Sequence, residues 1–267
     1  MHQSPDHHES RSVSILLTRP AERNQGLARR LLAEGCDVLD APALRIDTVS
    51  GACPYPGPGD LFVFVSRHAV EAYFDQHAQW PAQAWAAAVG AATAQALRER
   101  VPASRVLAPG PGCAPDSEHL LEILLQRLPD PQQARILRAQ QGRDWLATRL
   151  AAHGWTVSCH AVYRRVPVLW DATVTRRLAW GHPLVLLLTS LEALDAIDRS
   201  LAFHGVSWPG SGLAAVTLHE RIVRRLQCRC EEAGAAPPIV QISAPDESSL
   251  FRAILAAAQS VWNPPSS

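Results

Sequence analysis

The chain has 267 residues, 47% hydrophobic and 19% charged, enough apolar material for two small domains or one large one and too much for a disordered chain. Its basic residues, all arginine, number 25 and balance 25 acidic ones, so the formal net charge is zero and nothing in the overall charge favours nucleic acid. No apolar run reaches about 18 residues, which leaves no spanning helix, and six cysteines without a CxxC pair read as free thiols in a reducing compartment, the cytoplasm.

The opening MHQSPDHHES is polar and lacks the apolar core of a leader, so residues 1–11 are expected to form a disordered tail. SVSILLTRP then reads as a strand, with Thr18 at the start of the next helix. That helix carries Leu27, Leu31 and Leu32 at helical spacing and ends at Gly35, which suits a C-terminal cap. YPGPG at 55–59 is a loop by its glycines and prolines. LFVFVSRHAVEAYF is a strand that meets Ser66 and continues as a helix, and AAAVGAATAQALRER (86–100) repeats that pattern around Thr93. After a second loop, PGPGC (109–113), APDSEHLLEILLQ is a helix capped by Asp116. LATRLAAHGWTV (146–157) leads into the extended segment HAVYRRVP, which holds Tyr163. LVLLLTSLEALDAI is a further strand and helix joined at Ser190. LAAVTLHERIVRRLQ (213–227) and APDESSLFRAILAAAQ (244–259), the latter capped by Asp246, complete the elements.

Three of these pieces recur in the same order. LARRLLAEGCDV (27–38) matches LATRLAAHGWTV (146–157) at an offset of 119 residues. Ser66 matches Ser190 at an offset of 124, and Pro115, Asp116 and Leu120 match Pro245, Asp246 and Leu250. Two copies of one half, each alternating strand and helix, predict two small α/β domains with parallel sheets flanked by helices. A single large doubly wound domain is the rival architecture. A simple cut falls near LPDPQQ (128–133), but one copy's first unit could equally complete the other copy's remaining units.

A helix start carries unpaired N–H groups and a partial positive charge, and in open parallel sheets such starts gather at the carboxyl ends of the strands. Thr18, Ser66, Thr93, Asp116, Ser190 and Asp246 all read as such starts. Two facing domains would line a cleft with donors suited to a ligand bearing several negative groups. The plain alternative is that each residue only caps its helix. Signatures of other chemistries are missing: no GxGxxG, no GxxxxGK[ST], no GxSxG and no HExxH. Asp116 with Glu118 and Asp246 with Glu247 read as caps, not an acid–base pair. Tyr163, one of three tyrosines, is either packed or turned toward a ligand. In the latter case its phenol could assist a leaving hydroxyl.

In order along the chain, LLTRP, FVSRHAV (64–70), VGAATAQAL (89–97), DSEHLL (116–121), LRAQQGRDWLATRLAAHGWTV (137–157), VYRRVP (162–167) and LTSLEAL (188–194) together resemble the uroporphyrinogen-III synthase family. The resemblance runs from about residue 12 to 260. It implies one discontinuous domain, 12–39 with 168–267, and a second at 44–162. A two-stranded antiparallel linker of 40–43 and 163–167 would join them. It further implies a cytoplasmic monomer with no cofactor and no metal, whose substrate is hydroxymethylbilane, and no nucleic-acid or membrane partner. In the implied reaction the ring-A hydroxyl departs and leaves an azafulvene cation. Ring D attacks through its substituted carbon and is inverted by way of a spiro intermediate, and closure gives uroporphyrinogen III. Tyr163 would assist the leaving hydroxyl. Thr18, Arg19, Ser66, Arg67, Thr93, Arg138, Ser190, Leu191, Thr217 and His219 would contact substrate. The chain departs from the family pattern at Arg67 and His68, where proline and asparagine are common, and at Leu191, where a second serine is common. It also has VTLHERI in place of a glycine–proline–threonine junction, which leaves His219 as either a carboxylate contact or a helix cap. Other readings are a two-domain binding module, or another α/β enzyme for a polycarboxylated small molecule.

Overall fold

A computed structural model describes residues 13–51, 53–110, 113–114, 116–130, 132–179 and 183–262. The tail expected at 1–11 lies outside the described residues. The chain divides into two compact units, one built from the chain up to Arg45 and from Val166 onward, the other from Ile46–Arg165. Both are largely parallel sheets with helices on their two faces, the α/β class that the alternating strands and helices predict.

The first unit is a five-stranded sheet. β1 (Ser14–Leu17) and β2 (Asp37–Asp40) come from the beginning of the chain, and β9 (Leu184–Leu188), β10 (Leu213–Thr217) and β11 (Ile239–Ile242) from its end. The order is β11-β10-β9-β1-β2, parallel throughout. β9 and β10 are buried along their whole length, as a strand covered on both faces must be. Their side chains alternate: Leu184, Leu186 and Leu188 meet α7 (Leu191–Phe203) and α8 (Glu220–Glu232), while Val185 and Leu187 meet α1 (Gln25–Ala33) and α9 (Glu247–Trp262). A short helix, α6 (Ala172–Ala179), adds Leu178 to the first of these layers.

The second unit is a six-stranded sheet of order β3-β8-β7-β4-β5-β6. Its strands are β3 (Leu44–Thr48), β4 (Leu61–Phe64), β5 (Trp85–Ala88), β6 (Val106–Leu107), β7 (Gln133–Ala139) and β8 (Thr156–Pro167). From β8 to β6 the neighbours are parallel. Phe62 and Phe64 pack under α2 (Arg67–Phe74) and α3 (Ala91–Arg98), and Leu61 and Val63 under α4 (Ser117–Arg127) and α5 (Trp145–Ala152). The Tyr73, Phe74 and Trp80 rings close around the two phenylalanines at centroid distances of 5.6–6.4 Å, within the range of edge-on and offset aromatic contacts. β3 and β8 run through the chain positions where the units divide. Val49 N–H donates to Val162 O in one unit, and Val168 N–H donates to Ala43 O in the other, both at 2.9 Å.

Strand order fixes where a site can form. In the second unit the chain leaves β4 toward β5 and β6 on one side and returns to β7 and β8 on the other, so the switch lies between β4 and β7. In the first unit it lies between β1 and β9. Crevices outside the carboxyl ends of strands at such points are where open α/β sheets bind ligands. The glycines that end the first helix of each repeat, Gly35 and Gly154, both sit at positive φ, +77° and +84°, so the duplication kept a left-handed cap that other residues would strain.

Candidate functional site

The second unit holds five of the expected residues, Ser66, Arg67, Thr93, Arg138 and Tyr163, and its switch point brings Ser66 and Tyr163 together. Ser66 leaves β4 in an extended conformation and caps α2, its Oγ accepting from Ala69 N–H at 3.2 Å. The same hydroxyl donates to the Tyr163 phenol oxygen at 3.0 Å, across 97 residues of sequence. A chain of hydrogen bonds therefore runs from a first-turn amide of α2, through Ser66, to Tyr163, and each bond polarises the next. With its oxygen already accepting, the phenol keeps its own proton for another acceptor.

Tyr163 arrives there by an irregularity in β8. Arg138 of β7 lies opposite Ala161, but Ala139 lies opposite Tyr163, so Val162 is an extra residue. The bulge interrupts the alternation of the strand and turns both Val162 and Tyr163 inward, each 1% exposed. Gln140 N–H then donates to Tyr163 O at 2.9 Å and holds the residue at the end of β7. Between a packed tyrosine and a ligand-facing one, the structure gives a ring that is packed and a hydroxyl bonded to the half-buried Ser66.

Thr93 is not the cap of its helix. Gly90 is, and having no side chain it leaves α3 without a side-chain cap, while Thr93 is buried in the first turn. Ala91 and Ala92, exposed beside it, present amides of a kind that other helix starts satisfy internally. Gly90 was legible in VGAAT only as a glycine, with no hint that it stands at the cap. Arg138 lies near the end of β7 and is engaged locally, with Asp144 Oδ1 at 2.7 Å and Arg143 O at 3.1 Å. Arg67 is exposed and donates to Glu71 at 2.8 Å.

The first unit differs from expectation at Thr18. Pro20 and a 3₁₀ turn over Ala21–Arg23 delay α1 until Gln25, so Thr18 starts no helix. It is buried, and its hydroxyl donates to Leu187 O at 2.5 Å, bridging β1 to β9 at the switch point. Arg19 is also buried. Its Nε donates to Asn24 Oδ1 at 3.1 Å and its Nη2 to Arg23 O. Burial, and after it the charge of Arg23, lower its pKa from the ordinary arginine value, with Glu247 and Asp40 pulling the other way. Asn24 completes the knot by donating to Leu17 O, Arg19 O and Asp40 Oδ1, the last at 2.6 Å. By the 119-residue offset Arg19 is the counterpart of Arg138, and both guanidiniums turn back onto a carbonyl of the following loop.

Ser190 caps α7 and accepts from Ala193 N–H at 3.1 Å, as Ser66 caps α2. Leu191 follows it, 38% exposed, and lines a shallow groove of about 360 Å³ with Asp195, Arg221, Arg224, Arg225 and Cys228. Thr217 ends β10, is fully buried, and has no hydrogen-bond partner for its hydroxyl. His219 is a helix cap: its Nδ1 accepts from Arg221 N–H at 3.1 Å at the start of α8. Asp116 and Asp246 cap α4 and α9 through His119 N–H and Ser249 N–H, each at 2.9 Å. Both carboxyls stand below the usual carboxylate range because those hydrogen bonds favour the charged form. Among the described residues no group of three or more His, Cys, Asp or Glu could hold a metal ion, and no helix is long and apolar enough to cross a membrane.

The sequence model of uroporphyrinogen-III synthase HemD matches residues 25–218, well over half of the chain. The chain belongs to the uroporphyrinogen-III synthase family. Uroporphyrinogen-III synthase of Escherichia coli K12 is 29% identical over 201 residues, 69% of this chain and 78% of that protein. The Salmonella typhimurium enzyme is 29% identical over 205 residues with the same shares. Among solved structures, uroporphyrinogen-III synthetase from Helicobacter pylori superposes with a TM-score of 0.59 at 15% identity, covering 92% of this chain and 99% of that one. A mutant uroporphyrinogen III synthase from Thermus thermophilus gives 0.53 at 19% identity, with 93% and 99% covered. At these identities the two structures speak for the fold, and membership of this lyase family rests on the sequence match.

Proposed function

We propose that this chain closes hydroxymethylbilane to uroporphyrinogen III, with inversion of ring D and loss of water, without a cofactor and as a cytoplasmic monomer. Its membership of the uroporphyrinogen-III synthase family supports the reaction. The single structural observation that carries the reading is the phenol of Tyr163 held by Ser66 at the switch point of a parallel sheet. The substrate offers eight carboxylates. The helix starts after β4, β5, β9 and β10 offer first-turn amides beside Ser66, Gly90, Ser190 and His219, and backbone donors at helix starts suit anions. Bringing the two ends of a linear tetrapyrrole together is chiefly a matter of positioning, and effective concentrations gained this way lower barriers by about 7–11 kcal/mol.

In this reading Tyr163 gives its proton to the departing ring-A hydroxyl, which leaves as water, and the pyrrole nitrogen supplies the electrons of the azafulvene cation. Thr93, Ser66 and Ser190 mark helix starts that hold carboxylates mainly through main-chain N–H groups. Arg19, Arg67 and Arg138 add positive charge, and Thr18, Leu191, Thr217 and His219 shape the rim of the first unit. The test supplies the protein with freshly generated hydroxymethylbilane, oxidises the products and separates the isomers. The type III isomer is expected to dominate. Type I alone, the product of spontaneous closure, would overturn the assignment and favour a binding module.

A further inference from the structure

We propose that His68, fixed by Glu71, is a positioning residue for Tyr163, so that the first turn of α2 clamps the phenol at two places. The proposal rests on the reading that Tyr163 acts in the cyclisation. One jaw of the clamp is the Ser66 hydroxyl on the phenol oxygen, at 3.0 Å. The other is the His68 ring, whose centroid lies 5.8 Å from that of Tyr163 at an interplanar angle of 55°. That separation is within the range of stabilising aromatic pairs. Ser66 is the cap of α2 and His68 the second residue of the helix, so one backbone turn sets both contacts.

His68 is itself held. Its Nδ1 lies 3.5 Å from Glu71 Oε2, one helical turn on, and the other oxygen of Glu71 takes Arg67 Nε at 2.8 Å. Residues three and four apart face each other on a helix, so Glu71 reaches both partners without strain. The His68 side chain is only 17% exposed while Glu71 is 46% exposed, so the carboxylate ties the imidazole from the solvent side. On the neighbouring strands Arg138 pairs with Asp144 at 2.7 Å and Arg164 with Asp47 at 3.5 Å. A proline and asparagine in place of Arg67 and His68, the pattern that the family resemblance puts there, supply no aromatic ring. This chain therefore has its own means of holding the phenol.

The test is a double-mutant cycle read by kinetics and by ¹³C NMR of the tyrosine Cζ carbons. The chain has three tyrosines, so the Tyr163→Phe spectrum assigns the signal. His68→Ala is expected to lower kcat about tenfold with KM within about twofold, and to move the Tyr163 signal. In the Tyr163→Phe background it should lower kcat no further, because the residue acts through the phenol. Glu71→Gln should move the signal in the same direction by less, and His68→Phe, which keeps a ring, should restore most of its position. An unmoved Tyr163 signal in folded His68→Ala protein, or an equal loss of kcat with and without the phenol, would overturn the clamp. If His68→Ala does not fold, the milder pair decides: a Tyr163 signal unmoved in Glu71→Gln, or displaced further in His68→Phe than in Glu71→Gln, would overturn it. Failure of the wild-type protein to form the type III isomer would remove the activity reading alone, since the NMR arm needs no turnover.

Discussion

The Tyr163 phenol accepts from Ser66 and is almost wholly packed, which sets the size of its effect. Removing one hydroxyl from an otherwise intact site should slow kcat without much change in product binding. Tyr163→Phe is therefore expected to lower kcat by about ten- to a hundredfold, with KM and product affinity within about threefold; equal loss of both would mark a packing role. Ser66 carries two duties, so Ser66→Ala should cost about 0.5–2 kcal/mol for the lost cap and also lower kcat, measurable by denaturant melts and turnover on the same sample. Asn24 is a second sensitive point. It is fully buried, donates three times and accepts from Arg19. Asn24→Ala should destabilise the fold by about 2–4 kcal/mol in denaturant titrations, because it strands a buried guanidinium and several carbonyls. At this scale the sequence spoke unevenly. Ser66 and Ser190 were legible because the duplication kept a serine between an apolar strand and a helix. Thr18 misled, because a strand-ending threonine before Arg-Pro looks like a cap and only the 3₁₀ turn shows that the helix starts later. Asn24 gave no signal at all, since its partners converge only when the loop folds back on β1.

Helix starts are the elements that do the chemical work proposed here, and they differ in how well they are capped. α2, α7, α4 and α9 begin with a side chain that accepts a first-turn amide, whereas α3 begins at Gly90 with none. The α4 start is also sensitive to pH. Asp116 accepts from both the amide and the imidazole of His119, the latter at 2.6 Å. These bonds lower the Asp116 pKa, and the same side-chain bond raises that of His119. The Asp116 contribution is complete above its unfolded value and is lost as pH falls through its lowered folded value. The His119 contribution is complete below its unfolded value, about 6.5, and is lost as pH rises through its raised folded value. First-turn amides of α4 should thus be best protected from hydrogen exchange at mildly acidic pH and less so on either side. His119→Gln should remove the alkaline limb, and the Asp246 cap of α9, with Ser249 in place of a histidine, should show only the acid limb. Periodicity and caps made most of these helices readable. The bulge in β8 was not, because a one-residue slip between strands depends on the partner strand, and HAVYRRVP alternates as any edge strand would.

For the molecule as a whole, the internal repeat made the two α/β units legible, while the way the chain divides between them came from a family resemblance and not from residue patterns. A local reading favours a cut near residues 128–133. The contacts instead join the described chain up to Arg45 to the chain from Val166 onward, because β1 lies between β2 and β9. We retain the two-stranded linker of 40–43 and 163–167 as a proposal for the passage of the chain. The two switch points are built alike, with a capping serine after the inner strand and an arginine folded onto its own loop. The central claim is that main-chain N–H groups at these points hold the carboxylates of the tetrapyrrole. Its most direct test is amide NMR of the protein titrated with the type III product. The largest shifts should fall on the amides of Arg67 and His68, of Ala91–Thr93, and of Leu191 and Glu192. Shifts confined to outer helix surfaces, with those amides unmoved at saturation, would contradict it.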